Sequence, residues 1–220
     1  MAADSLRRPP KMYVTTDVVA FCVPPGQDLR VLLIRRANPP YQESWALPGG
    51  FVEEEEELQV ACVREMEEET GVSPSALLQL GAWGKPGRDP RGRNVSVAYV
   101  AAVRPGEAEA RAGDDAAEVR WHSVSNLPQL AFDHKQIVTA AFRRLRSLAN
   151  GTHFVYWLLP ERFTLEELRD ALTAVVGELV TAQEALSFAK RGRIIKEAAE
   201  LPRQKDKYRC VAADALSPLR

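Results

Sequence analysis

Glutamates and one arginine between residues 50 and 72 have the types and the spacing that suit a divalent-metal site. This segment reads GFVEEEEELQVACVREMEEETGV. If residues 58–70 are helical, Glu65, Glu68 and Glu69 stand at positions i, i+3 and i+4 and share one face. Carboxylates at this spacing repel each other by about 0.2–0.5 kcal/mol per pair. A Mg2+ ion would relieve that repulsion, because it takes oxygen ligands from one or two carboxylates and from substrate phosphates.

An acidic helix face exposed to solvent is the alternative interpretation of this segment. It accounts for the glutamates at 53–57 and for Gly71 as the residue that ends the helix. It does not account for Arg64, or for the Pro48-Gly49-Gly50 turn that precedes the acidic residues. The metal interpretation therefore explains more of the segment.

The same residues meet every fixed position of the Nudix box. Its pattern is a glycine, five residues, a glutamate, seven residues, and then Arg-Glu-hydrophobic-any-Glu-Glu-any-Gly-hydrophobic. The positions are filled by Gly50, Glu56, Arg64, Glu65, Met66, Glu68, Glu69, Gly71 and Val72. The one departure is Glu55, where many members of the family carry a glycine, and it removes no carboxylate. The segment is identified as a Nudix box.

That resemblance implies a fold and a set of roles. The fold is α/β, a Nudix α/β/α sandwich with a mixed sheet, and the cofactor is Mg2+ or Mn2+. Glu65, Glu68 and Glu69 would hold the metal, while Glu56 would support the loop. Arg64 would orient the carboxylates through charge-assisted hydrogen bonds.

Elements on both sides of the box are predicted to position it. Apolar and β-branched runs predict strands at 13–23, 30–34, 77–83, 94–103 and 119–124. Helices are predicted at 58–70 and, beginning from Asp133, up to about residue 148. Together these elements form a predicted domain over residues 12–149.

Basic residues around the box are candidates for binding an anionic substrate. They are Arg35 and Arg36, together with Arg88 and Arg93 of the loop GKPGRDPRGR, and Gly50 of the box is added to this substrate-binding set. A diphosphate beside an acidic helix needs such cations, although solvated surface charges remain an alternative for each arginine. On the first interpretation, replacing Arg88 should weaken ligand binding and leave thermal stability nearly unchanged.

The stretches TTDVVAF, LLIRRANPPY, GRDPRGR and LAFDH, with Pro86, are similar to the ADP-ribose-pyrophosphatase-like branch of the family and to NrtR-type regulators of NAD metabolism. The resemblance implies a Mg2+-dependent pyrophosphohydrolase that converts ADP-ribose or a related NAD-type dinucleotide into AMP and a phosphorylated sugar. Catalytic roles fall to Arg64, Glu69 and Glu118. Glu118 is favoured as the general base, while Asp114, Asp115 and Glu69 remain alternatives.

Residues 152–220 are predicted to form a winged helix-turn-helix domain. A strand-like run at 154–159 is followed by two capping patterns, Thr164 with Glu167 and Thr181 with Glu184, and then by two short strands. The residues predicted to contact DNA are Lys190, Arg191, Arg193, Lys205 and Lys207. The helix at 181–189 carries no basic residue, so a purely structural role for this module remains open. The alternative function is an ADP-ribose-sensing, DNA-binding transcriptional regulator that acts as a homodimer.

Composition sets the remaining expectations. The chain has 220 residues, a formal net charge of −1 and three cysteines without a C-x-x-C pair. These values are typical of a globular protein with buried thiols in a reducing compartment. The first residues lack the apolar core of a signal peptide, and no run is long enough to span a bilayer. A cytoplasmic protein without a membrane partner is expected.

Overall fold

The computed structural model describes residues 11–113, 116–149, 153–191, 194–196 and 207–210. Its strands are β1 (Tyr13–Cys22), β2 (Arg30–Arg36), β3 (Trp45–Ala46), β4 (Ala76–Trp83), β5 (Asn94–Ala102), β6 (Ala116–Ser123), β7 (Arg162–Thr164), β8 (Ile194–Lys196) and β9 (Lys207–Cys210). Its α-helices are α1 (Leu58–Thr70), α2 (His134–Ala149), α3 (Leu165–Val176) and α4 (Ala182–Arg191). Short 3-10 helices span Pro105–Glu107 and His153–Leu158.

A mixed six-stranded sheet separates two helices. Its order is β3-β2-β1-β5-β4, and β6 pairs with β2. Only the central β1 and β5 run parallel within this sheet, and the other pairs are antiparallel. Cys62 and Met66 of α1 pack with Val18 on one face, whereas Ile137 of α2 packs with Val19 on the other. The predicted α/β/α sandwich with a mixed sheet is confirmed.

Strands β1 and β2 separate soon after they pair. Their paired residues are Phe21 with Val31 and Cys22 with Arg30, at one end of both strands. Farther along, β1 bonds to the backbone of the loop that precedes α1. The Val18 amide donates to the Pro48 carbonyl, and the Thr16 amide donates to the Gly50 carbonyl, both over 2.9 Å. This loop therefore takes the place of β2 beside β1, while β3, which precedes the loop, pairs with the far end of β2.

Helix α1 matches its predicted range because its signals are local. Its buried residues are Ala61, Cys62, Met66 and Thr70, one stripe at helical spacing. Gly71 ends the helix with a φ of 67°, and its amide donates to the Glu67 carbonyl over 2.8 Å. A left-handed residue at this position favours glycine, as predicted.

The C-terminal part contains two capped helices and a small sheet. Thr164 and Glu167 form a reciprocal capping box on α3, and Thr181 and Glu184 exchange the same bonds at α4. Both predicted caps are confirmed. Strands β7, β9 and β8 form a three-stranded sheet in that order.

The strand predicted at 154–159 is wrong, because this run forms the 3-10 helix His153–Leu158. Val155, Tyr156 and Leu158 are all buried, so the run is packed on several sides at once. A continuous apolar run does not reveal its backbone conformation, since buried strands and buried helices have the same composition.

Contacts join the C-terminal part to the sheet domain. The Arg104 guanidinium donates to the Leu159 carbonyl over 2.8 Å, and Arg146 of α2 donates to the Val176 carbonyl at the end of α3. The predicted boundary at residues 150–151 lies outside the described residues. Within the described part of the chain, no helix combines the length and the apolar character that a membrane crossing requires.

Gly113 lies against the C-terminal end of α1, and this contact yields a stability prediction. A Cβ at Gly113 would lie 1.8 Å from the Glu68 carbonyl oxygen, so Gly113→Ala must push this segment away from α1. We expect the free energy of unfolding to fall by about 1–3 kcal/mol in urea titrations. Gly106→Ala is the matched control, because an added Cβ there has no neighbour within 4 Å. Equal stability of the two variants would contradict the prediction.

Candidate active site

A cavity of about 410 Å³ opens where β1 and β2 separate. Four groups of residues line it: the ends of the two strands, the loop before α1, the α1 helix, and loops that lead into β5 and α2. From α1 it receives Arg64, Glu65 and Glu69, and from the loop before this helix Gly49 and Gly50. The box therefore forms one wall of a cavity large enough for a nucleotide-sized ligand.

Arg64 joins the carboxylates of the box. Its guanidinium makes a two-pronged contact with Glu56, with both N···O distances at 2.8 Å. Its Nη1 also donates to Glu65 over 2.8 Å and to Glu68 over 3.1 Å. The hydrogen bonds from Arg64 hold the pKa of Glu56 below its usual value. Burial raises the pKa of Glu65, although Arg64 opposes the shift.

Two glycines let the loop approach the glutamates closely. The Gly49 amide donates to Oε2 of Glu69 over 2.9 Å. A Cβ at Gly49 would lie 2.0 Å from the Thr16 carbonyl oxygen, and its φ of 148° favours glycine. At Gly50 a Cβ would lie 2.4 Å from the carboxylate of Glu65. No larger residue fits at either position without moving the backbone or the glutamate.

The donor set of this wall fits a hard divalent cation. Glu65 and Glu69 line the cavity and offer carboxylate oxygens, the ligands that Mg2+ and Mn2+ prefer. Glu68 is turned toward Arg64, does not line the cavity, and has a side chain that is 60% exposed. Among the described residues, no three His, Cys, Asp or Glu side chains stand together as a metal-binding group. The carboxylates are instead held by Arg64 and the Gly49 amide.

The predicted substrate-binding arginines occupy different surroundings. Arg36 lines the cavity, where its guanidinium stacks 5.1 Å from the centre of the Phe132 ring. Arg35 lies outside the lining and pairs with Glu43 over 2.9 Å. Arg93 also lies outside it and donates to the Gly84 carbonyl over 2.6 Å. The structure thus brings Arg36 to the box and leaves Arg35 and Arg93 away from it.

The carboxylates predicted as a general base do not converge on the box. Glu118 of β6 pairs with Arg120 and lies 3.8 Å from Arg35, outside the cavity lining. Asp114 and Asp115 lie outside the described residues. Glu69, the remaining alternative, lines the cavity directly.

Arg88 lines the cavity but belongs to a buried ionic network. Its guanidinium contacts Asp133 at 2.6 Å and Asp17 at 3.3 Å. Only 4% of the Arg88 side chain is exposed. His134 extends the network, with its Nε2 atom 3.5 Å from Asp17. Arg88 therefore neutralises two buried aspartates, and its contact with the ligand stays a prediction.

Three members of this network were missed by sequence reasoning. Asp17 stands inside the apolar strand TTDVVAF, while Asp133 and His134 stand in LAFDH. An aspartate inside an apolar strand is the one available signal, because such residues are rarely buried unless they are paired. The partners are 71 and 45 positions away from Arg88, so spacing could not identify them.

Two phenylalanines add aromatic surface to the cavity. Arg91 lies 5.1 Å from the centre of the Phe51 ring and 5.8 Å from that of Phe132. Asp89 holds Arg91 from the other side. Burial alone would raise the pKa of Asp89, but hydrogen bonds from Arg91 and Asn94 lower it to about 2. The rings and guanidinium groups offer flat faces to a planar ligand group.

The Arg88 network changes the expected result of replacing this arginine. Arg88→Ala leaves Asp17 and Asp133 buried without their cation, and breaking a buried pair in this way costs about 3–5 kcal/mol. We expect a clear fall in the urea midpoint of unfolding. The control is Arg93→Ala, which removes an exposed side chain and should change stability by less than about 1 kcal/mol. Nearly unchanged stability of Arg88→Ala would contradict the stabilising role of this network.

Comparison with known proteins gives a family and two kinds of relative. The NUDIX domain profile matches residues 14–141. An ADP-ribose pyrophosphatase of Methanocaldococcus jannaschii is 46% identical over 112 residues, which are 51% of this chain and 65% of that protein. An ADPR responsive transcriptional repressor of Acinetobacter baylyi is 35% identical over 172 residues, covering 76% of this chain and 68% of the repressor. The chain thus spans just under two thirds of the archaeal relative.

Among solved structures, NrtR of Shewanella oneidensis resembles almost the whole chain. Its structure aligns with a TM-score of 0.77 and 29% identity, covering 93% of this chain and 96% of NrtR. The same protein has been solved in complex with a 27mer DNA, and its NUDIX domain with ADP ribose. The profile match covers more than half of this chain and includes the whole box. The chain therefore belongs to the Nudix family, as its resemblance to the Nudix box predicted.

Proposed function

We propose that this protein is a metal-dependent pyrophosphohydrolase that converts ADP-ribose, or a related NAD-type dinucleotide, into AMP and a phosphorylated sugar. The observation that carries the proposal is the complete box in the wall of a nucleotide-sized cavity, with Glu65 and Glu69 facing into it. The name of the relative from M. jannaschii supports the choice of substrate.

The residues assigned to the metal are Glu65, Glu68 and Glu69. When bound, Mg2+ or Mn2+ would neutralise charge on the diphosphate and orient it. Arg64 pairs with two of these carboxylates, Glu65 and Glu68, and limits their mutual repulsion. Because Glu68 is exposed, its carboxylate can leave Arg64 with little loss of buried contact. Glu65 has the stronger need for a cation, since burial disfavours its charged form.

Proton transfer is assigned to Glu69 in preference to Glu118. A water attacks one phosphorus in line, its proton passes to the carboxylate, and the P–O bond of the diphosphate bridge breaks. Glu69 lines the cavity and is oriented by the Gly49 amide. Glu118 is held by two arginines away from the cavity lining. With ADP-ribose, the products would be AMP and ribose 5-phosphate.

The proposed substrate contacts come first from residues that line the cavity. Arg36 is the candidate for the diphosphate, because it is a cation in the lining of the same cavity as Glu65 and Glu69. Phe51 and Phe132 are candidates for stacking on the base, since flat rings stack on any nucleobase. Arg35 and Arg93 stay predicted ligand contacts, and neither lines the cavity in this structure.

The test is to incubate the pure chain with ADP-ribose and Mg2+ and to measure AMP by chromatography. Glu69→Gln keeps the size of the side chain and removes its charge and its basicity. We expect the turnover number to fall by about 10²–10⁴-fold, the range for a lost general base. Absence of AMP from the wild type would contradict the proposed reaction.

A matched control for Glu69→Gln is Glu54→Gln, which removes one charge from an exposed loop position of the same segment. Its turnover should stay within about twofold of the wild type, because surface substitutions have small effects. If Glu69→Gln is as active as Glu54→Gln, Glu69 is neither base nor metal ligand.

A second candidate function is that of an ADP-ribose-responsive, DNA-binding regulator acting as a homodimer. It is favoured by the order α3, α4, β8 and β9 with a small sheet, which is the order of a winged helix-turn-helix. Residues 190–209 contain eight basic and three acidic residues. The S. oneidensis relative has been solved with DNA. Hydrolysis and regulation are compatible in one chain.

The DNA contacts assigned to this function are only partly described. Lys190 and Arg191 are exposed in the last turn of α4, where they are available to phosphates. Arg193 and Lys205 lie outside the described residues, and Lys207 is described only as part of β9. The first turns of α4 contain no basic residue. The proposal therefore rests on contacts with DNA phosphates and not on direct recognition of bases.

Gel shifts in a salt series test the regulator hypothesis. The probe is the DNA upstream of the protein's own coding region. If Lys190 and Arg191 contact phosphates, the double change to alanine should reduce the slope of log K against log salt by about 2. Arg111→Ala, which removes a side chain that is 85% exposed in the sheet domain, is the control and should leave the slope unchanged. If the wild type binds no DNA even at low salt, the regulator hypothesis is wrong and the C-terminal part has a structural role.

A further inference from the structure

The loop between β3 and α1 is anchored at its first amide by a histidine from another element. His134, the first residue of α2, accepts a hydrogen bond at Nδ1 from the Leu47 amide over 2.9 Å. The ring is buried, with 4% of the residue exposed. This contact joins positions that are 87 residues apart. It holds the loop just before Gly49 and Gly50.

The surroundings of His134 fix both its protonation state and its orientation. A nitrogen that accepts from an amide carries no proton, so the remaining hydrogen of the neutral ring is on Nε2. That atom faces Asp17 Oδ1 at 3.5 Å. Asp17 in turn accepts from Ser96 and Arg88. Burial lowers the pKa of His134, which favours the same neutral ring.

From Leu47 onward the loop makes one polar contact after another. The Pro48 carbonyl accepts from β1, the Gly49 amide donates to Glu69, and the Gly50 carbonyl accepts from β1. Because these four residues are consecutive, a shift of the first amide moves the donor that orients the Glu69 carboxylate. The distance between successive Cα atoms is only about 3.8 Å, so little of such a shift can be absorbed along the way.

We propose that His134 is a positioning residue for the hydrolysis: its unprotonated Nδ1 sets the place of the Leu47 amide, and through it the place of the Gly49 amide that orients Glu69. Asp17 and Arg88 keep the ring in the accepting orientation. The inference rests on the proposed function for its effect on turnover. Its structural part, the placement of the loop, can be tested without turnover.

Three substitutions of His134 test the roles of Nδ1 and Nε2 independently. His134→Asn places an acceptor oxygen as many bonds from Cβ as Nδ1 and has no group that reaches Asp17. His134→Gln places a donor nitrogen at the depth of Nε2 and has no acceptor in the place of Nδ1. His134→Leu removes both. Hydrogen bonding to Leu47 should thus persist in the asparagine variant alone.

The experiment measures kcat and KM for ADP-ribose with the full chain, and the chemical shift of the Gly49 amide in 15N-labelled protein. Loss of an orienting contact typically reduces activity by about 10–100-fold. We expect kcat of the Leu and Gln variants to fall in this range with a smaller change in KM. The Asn variant should keep at least about ten times the kcat of the Leu variant. The Gly49 amide should shift in Leu and Gln and stay near its wild-type position in Asn.

Equal kcat and equal Gly49 shifts for the Asn and Gln variants would overturn the proposal, as would a Leu variant that matches the wild type. His122→Asn is the matched control, because His122 packs on the Trp45 ring outside the cavity lining. If the wild type forms no AMP, the proposed reaction fails, and the Gly49 shift still decides the placement of the loop. Thermal unfolding of each variant confirms that the compared proteins are folded.

Discussion

The structure depends on one constraint, the close approach of the loop before α1 to β1. Where β2 leaves β1, the backbone groups of β1 need new partners, because an unpaired buried amide or carbonyl costs about as much as a lost hydrogen bond. The loop supplies them, and Gly49 fits only because it lacks a Cβ. The gap between the strands remains as the cavity. Sheet geometry, loop and site are therefore consequences of the same divergence.

The glutamates of α1 at the cavity carry two electrostatic costs, repulsion between their carboxylates and loss of hydration on burial. Glu65 and Glu69 lie one helical turn apart on α1 and line the cavity, and Arg64, which also lines it, supplies a positive charge beside Glu65. The exposed Glu68 adds little strain because water screens it. Glu65 is the costly member, since burial disfavours its charged form. Under the proposed function, a cation in the cavity would act on the residue that gains most from it, which would offset the cost of this carboxylate spacing to helix stability.

Local signals could be predicted from the sequence, and long-range pairings could not. The range of α1, its end at Gly71 and the two capping boxes depend on residues a few positions apart, so the pattern determines them. The position of the Arg88 side chain depends on Asp17 and Asp133, which are distant along the chain. A loop arginine next to a phosphate site looks the same in sequence whether it meets a ligand or a buried aspartate. The 3-10 helix at 153–158 was mistaken for a strand for a related reason, because burial on several sides erases periodicity.

Helix α2 connects the cavity with the C-terminal helices. It begins at His134, in the cavity lining, and Arg146 in its last turn donates to the carbonyl that ends α3. The core is continuous across this junction, with Ile137 and Leu168 in one cluster. Contact alone does not make a switch, since a ligand shifts an equilibrium only if it binds two arrangements with different affinity. If the chain both cleaves and senses its ligand, the intact ligand and AMP must differ in their interaction with the α2 end of the cavity. Hydrolysis would then consume the substrate and, by removing the intact ligand, also switch off the regulatory response.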